Sequence, residues 1–158
     1  MGAALKWGII LVVAVTALNA IWIGAAWHTT PTGAMGFVGV AILVNIVAVI
    51  LALKETAGEN GYGRQLLAGL VVGIVGAIGI FLTSWMMLSF VFAEAIPDQI
   101  AGFTAAYQSW PIPDEQKAEL VVALDGVTAV TSAMQGAVGT LFTSFIVGAI
   151  AGAFLRRK

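Results

Sequence analysis

The chain has 158 residues, 60% of them hydrophobic and 9% charged, with a formal net charge of −1 and a mean hydropathy of +1.01. A soluble domain has about a quarter of its residues charged, so this composition points to an integral membrane protein with room for one helical bundle and none for a soluble catalytic domain beside it. The absence of cysteine excludes disulfides, thiol nucleophiles, iron–sulfur clusters and Cys-ligated zinc.

No Asp, Glu, Lys or Arg occurs in residues 7–53, 65–93 or 126–155. A spanning helix needs about 20 apolar residues. The first tract therefore holds two spans, divided at His28-Thr29-Thr30-Pro31-Thr32-Gly33, a cluster of turn formers that closes a short helical hairpin. The expected fold is an all-α integral membrane domain covering residues 1–158, with four transmembrane helices at about 7–27, 36–53, 66–92 and 127–155 and an amphipathic helical outer connection over 94–125.

In the first span, Lys6 before an apolar run and the small residues Gly24-Ala25-Ala26 imitate a secretory signal, but the segment is expected to stay as a permanent span. Met1-Gly2-Ala3-Ala4-Leu5-Lys6 lacks the Ser or Thr that N-myristoylation wants. Trp7, Trp27 and Trp110 fall near span ends and read as interfacial anchors rather than a ligand cage. The second span is expected to be short, rising ~27 Å, whereas the third could rise ~40 Å and must tilt or project. Asn19 and Asn45 sit near the middle of these first two antiparallel spans. Their depths allow a mutual hydrogen bond that locks the hairpin, or a polar pathway through the bundle.

Small residues at four-residue spacing let helices approach closely in lipid. Weaker ridges of this kind run through Thr16, Ala20 and Gly24, and through Gly69, Gly73, Gly76 and Gly79. In the outer connection, Pro97-Asp98 marks a helix start, and Ile100, Phe103, Tyr107 and Trp110 form an apolar stripe at helical steps. That stripe suits a helix on the membrane surface or one packed across the top of the bundle. Trp110-Pro111-Ile112-Pro113 forms a corner, and a second helix starts at Asp114-Glu115-Gln116-Lys117 with acids in its first turn. Asp125-Gly126 ends it. Asp114, Glu115, Glu119 and Asp125 lack the spacing of a calcium loop and read as a solvated face.

The last span carries the best ridge, Gly136, Thr140, Ser144, Gly148 and Gly152, with intramolecular packing as its default use. Gln135, Thr140, Thr143 and Ser144 there, like Thr83, Ser84 and Ser89 in the third span, can satisfy backbone carbonyls without any ligand.

Orientation follows from charge. With the N-terminus inside, Lys6, Lys54, Arg64, Arg156, Arg157 and Lys158 are cytoplasmic beside Glu55 and Glu59. Lys117 alone is outside, beside Glu94, Asp98, Asp114, Glu115, Glu119 and Asp125. This satisfies the positive-inside bias and places both termini in the cytoplasm.

Proton- or ion-coupled transporters need an intramembrane carboxylate or His, and the charge-free tracts hold only His28, in the outer turn. A proton-driven exporter is not expected. His28 by itself is no metal site, and no Ser-His-Asp set or Gly-x-Ser-x-Gly elbow occurs. No catalytic residue, metal or cofactor is predicted, though a bound lipid or pigment fits such spans. The first expectation is a non-catalytic accessory or scaffold subunit, packed against other membrane subunits or a second copy, in a larger complex of an energy-transducing or other kind. The alternative is a small permease or channel with a neutral path past Asn19, Asn45, Thr140 and Ser144. A lipid-acting enzyme ranks behind both. Membrane lipids are expected partners and nucleic acid is not.

Three stretches, LALKETAGENGYGRQLLAGLVVGIVGAIGI, AIPDQI and TSFIVGAIAGAFLRRK, give the chain a resemblance to the small bacterial membrane proteins grouped as "domain of unknown function four-one-nine-nine". The resemblance implies a four-helix bacterial inner-membrane protein with an amphipathic outer connection. It brings no activity and no catalytic residues. Spans richer in Gly and Ala than the Leu/Ile/Phe-rich norm of that family suit a role in tight assembly.

Overall fold

The computed structural model describes residues 2–58 and 60–155. Met1, Glu59, Arg156, Arg157 and Lys158, four of which enter the charge argument, lie outside the described residues. Six α-helices follow in order: α1 Gly2–Gly24, α2 Pro31–Glu55, α3 Tyr62–Met86, α4 Ala95–Gln108, α5 Asp114–Val122 and α6 Ala129–Leu155. Helices α1, α2 and α6, together with α3 and its extension to Val91, are long and apolar enough to cross a membrane, the mark of a multi-pass membrane protein.

The first two helices are joined more tightly than their turn formers suggest. Ala26 takes the left-handed conformation at φ 59° and reverses the chain into a single 3-10 turn, Trp27–Thr29. The Thr29 hydroxyl donates to the Ala26 carbonyl at 2.8 Å. Thr30 then caps α2, its hydroxyl accepting from the Gly33 amide at 3.1 Å, and Pro31 takes the first helical position, where a missing N–H costs nothing. The second span is therefore not short. Its 25 residues rise ~37 Å, because Pro31 to Met35 begin the helix instead of ending the loop. At its far end α3 passes into a π turn, Met87–Val91, in which the Phe92 amide donates to the Met87 carbonyl at 2.7 Å.

Around the bundle the order is α1, α2, α6, α3, with α1 and α6 diagonal. The α3–α6 seam is the closest. The ridge of α6 runs into the glycines of α3: a Cβ on Gly69 would stand 2.8 Å from Gly148 Cα, and one on Gly73 would stand 2.7 Å from Ser144 Cβ. Gly152 lies against Gln65, and Thr140 against Gly76. Gly8 of α1 likewise seats Val75, and Gly79 of α3 seats Val12. Between α1 and α3 the Thr16 hydroxyl donates to Thr83 Oγ1 at 2.8 Å, and Thr83 donates in turn to the Gly79 carbonyl at 2.9 Å. The buried core, including Leu11, Val49, Leu53 and Val72, fills the half of the bundle next to Lys6, Lys54 and Arg64. We call this half the basic end. Val13, Leu43, Phe142 and Ile150 face outward, as in a bundle whose surroundings are themselves apolar.

At the basic end the fully buried Gln65 ties three helix ends together. Its amide nitrogen lies 3.1 Å from the Thr56 carbonyl and 3.4 Å from those of Leu53 and Leu155, while its oxygen accepts from the Thr56 hydroxyl at 3.3 Å. The orphan carbonyls at the C-termini of α2 and α6 thus find a donor. Lys6 pairs with Glu55 beside it, in an exposed bridge worth under about 1 kcal/mol.

At the opposite, acidic end, α4 lies across the α1–α2 turn. The helix meets the bundle through the face of Ala95 and Gly102, whereas Trp110, at the end of the expected apolar stripe, is exposed. Phe103, Tyr107 and Trp110 pack edge to face in succession, at centroid distances of 6.0 and 5.1 Å. Gly102 makes the docking possible, because any Cβ there would overlap the Thr29 carbonyl. Gly102→Val is expected to lift α4 from the turn. Backbone hydrogen exchange over residues 95–108 should rise at least about tenfold, while that of the α3–α6 seam stays unchanged.

Candidate functional site

A cavity of about 440 Å³ occupies the acidic half of the bundle. Small residues make room for it, beside the larger Phe37 and Ile42 in its lining. Ala34 and Ala41 of α2 and Gly136 and Gly139 of α6 line it, and a Cβ on Gly139 would meet no atom within 4 Å. Asn19 and Trp22 of α1 and Ile80, Ser84 and Leu88 of α3 and its π turn complete the wall. Ala95, Ile96 and Gln99 of α4, with His28 beneath them, form the roof.

Asn45 closes the deep end. Its side-chain nitrogen donates to the Thr140 carbonyl at 2.9 Å, and its oxygen accepts from the Ser144 hydroxyl at 2.8 Å. The expected Asn19–Asn45 bond is therefore replaced by one from α2 to α6, and Ser144, fully buried, is both a ridge residue and Asn45's partner. Beyond Asn45 the buried core of the basic end begins. Asn19 lines the cavity instead. Among the described residues, Asn19, Gln99 and Gln135 have no hydrogen-bond partner, and all three border the cavity. Three primary amides, each a donor and an acceptor, thus converge on a space whose walls are mostly apolar.

Roof and walls carry no formal charge. His28 is held below its ordinary value of 6.5, chiefly by desolvation, which outweighs the opposing attraction of Asp98 and the nearby Ala95 backbone. Both ring nitrogens are shut off from solvent without a partner among the described residues. The Ala95 backbone therefore favours the protonated ring without meeting either nitrogen in hydrogen-bond geometry. Because the docked state disfavours the proton, its stability is fully present above the ordinary value and is lost as pH falls through it towards the lowered one. Hydrogen exchange in α4 is accordingly expected to accelerate, beyond the intrinsic pH effect, as pH falls below the ordinary value of 6.5. In His28→Phe that excess should vanish.

The remaining expected site residues separate. Thr140, Ser144, Gly148 and Gly152 lie against α3, whereas Gly136, whose Cβ would first meet Ile80 at 3.6 Å, borders the cavity. Trp27 and Trp110 are exposed at the acidic end. Trp7 packs against the core with its indole N–H unpartnered among the described residues. Trp22 donates to the Gly33 carbonyl at 2.9 Å and meets Trp27 edge to face. Sequence reasoning missed Gln65, Gln99 and the grouping of His28 with Gln99. A Gln one turn into an otherwise apolar helix was the available signal for the first. No group of three or more His, Asp or Glu stands close enough to hold a metal ion among the described residues.

A family model described as "Protein of unknown function (DUF4199)" matches residues 6–157. No curated protein and no solved structure matches the chain. The chain belongs to the DUF4199 family.

Proposed function

We propose that this DUF4199 member is a non-catalytic, multi-pass protein of the bacterial inner membrane that binds an uncharged small molecule in the cavity between α2 and α6. The observation that carries this reading is the convergence of Asn19, Gln99 and Gln135, unpartnered among the described residues, on a cavity of about 440 Å³. Ligand pockets run from about 300 to 1,000 Å³, are mostly apolar and use a few placed polar groups. Gln135 is exposed and Asn19 and Gln99 are half-buried, so these amides are free to pair with water or with a ligand in the cavity.

Lys6, Lys54 and Arg64 share one end of the bundle, which supports a cytoplasmic basic end and both termini inside. The cavity then belongs to the outer half of the membrane. The expectation of an accessory subunit rested on the α6 ridge, and most of that ridge is occupied by α3. Another subunit or a second copy would dock instead on outward faces such as Val138, Phe142 and Phe145. The neutral path past Asn19 and Thr140 is the part of the sequence expectation that the cavity favours, but it stops at Asn45, which suits binding better than open conduction.

The test is the identity of small molecules that leave with the protein. Mass spectrometry of extracts from the purified native chain should find a compound that Gly139→Leu lacks, since leucine at that open position crowds the cavity mouth. Identical extracts from both proteins would contradict the reading.

A further inference from the structure

The cavity opens sideways. Gly136 and Gly139 of α6 and Val38 and Ile42 of α2 line it and are at the same time exposed, so the gap between these two helices faces the surroundings of the bundle. At this depth those surroundings are hydrocarbon. Towards the acidic end α4 covers the α1–α2 side, where it rests on Thr29 through Gly102 and the His28 nitrogens beneath it are sealed from solvent.

We infer that the ligand is an uncharged lipid, an apolar body bearing hydroxyl or carbonyl groups in the manner of a diacylglycerol, which enters from the outer leaflet between α2 and α6. This rests on the binding reading above and specifies its ligand. Asn19, Gln99 and Gln135 receive the polar head, offering N–H to its oxygens and amide carbonyls to its hydroxyl protons. Val38, Ile42 and the bare Gly139 surface leave the acyl chains a way out into the bilayer.

Charge selects against the common membrane lipids. The cavity walls carry no cation to pair with a phosphate. Across the acidic end, Glu94, Asp98, Asp114, Glu115, Glu119 and Asp125 face a single cation, Lys117, which is already paired with Asp114 at 3.1 Å. An anionic head would meet repulsion without compensation. A cationic head would lie among neutral amides, with no carboxylate in the walls to pair with it.

The full-length protein in phosphatidylcholine nanodiscs is titrated with radiolabelled dioleoylglycerol. Saturable binding is expected, weakened at least about tenfold in Gly139→Leu and several-fold in Asn19→Leu and Gln135→Leu, with helix content and elution volume unchanged in all three. Equal binding by wild type and Gly139→Leu would overturn the inference. So would competition by dioleoylphosphatidylglycerol as effective as that of unlabelled dioleoylglycerol. If a water-soluble compound co-purifies with the wild type but not with Gly139→Leu, and dioleoylglycerol does not bind, the binding reading stands and the lipid assignment falls.

Discussion

Gly69→Val is expected to destabilise the bundle by about 3 kcal/mol or more, because its new methyl groups meet backbone rather than a side chain that can yield. Even a single Cβ at Gly69 would stand 2.8 Å from Gly148 Cα. Relief requires α3 and α6 to separate along the seam that also holds Gly73 against Ser144 and Gly152 against Gln65. Thermal unfolding in detergent should show a large fall in midpoint or outright aggregation. Gly139→Ala, whose Cβ enters open space, is the matched control and should behave as wild type. Equal stability of the two variants would mean that the seam is looser than described.

Gln65→Leu is expected to cost about 2–3 kcal/mol, since it strands carbonyls at the ends of two helices in a fully buried position. Gln65→Glu should be worse. A carboxylate keeps the acceptor for the Thr56 hydroxyl but loses the donor that the Leu53, Thr56 and Leu155 carbonyls share, and it places a charge where none is solvated. Chemical unfolding of the three proteins should rank them wild type, Leu, Glu. A Glu variant as stable as the Leu variant would show that water reaches this site.

Much of the architecture was legible because a membrane span must be long, apolar and free of charge, and residues 7–53, 65–93 and 126–155 show those limits openly. The α6 ridge was equally readable, since close approach of backbones needs small side chains at regular spacing. The start of α2 was not, because Thr30-Pro31 is both a turn signal and a helix start signal, and only the cap from Thr30 to Gly33 decides between them. The partner of Asn45 was hidden for a related reason. Depth alone suggested Asn19 across the hairpin, whereas the rotation of α2 aims the side chain at α6. The cavity is harder still to read. Gly136 and Gly148 belong to one sequence pattern, yet Gly148 meets the backbone of α3 while Gly136 meets only the Ile80 side chain at 3.6 Å and borders the cavity. No local sequence feature records that difference.

The account depends most on the cavity being open and polar at membrane depth, and the lack of native cysteine makes this directly measurable. Ser84→Cys and Leu82→Cys place a thiol at nearly the same depth on α3, one lining the cavity and the other on the outward apolar face. Maleimide reacts with the thiolate, which needs a polar, hydrated setting. In intact membranes the Ser84→Cys variant is expected to react with N-ethylmaleimide at least about tenfold faster than the Leu82→Cys variant, and a ligand that occupies the cavity should slow it. Equal and negligible labelling of both would contradict the account, since it would leave Ser84 in a closed, dry space rather than on an accessible binding site.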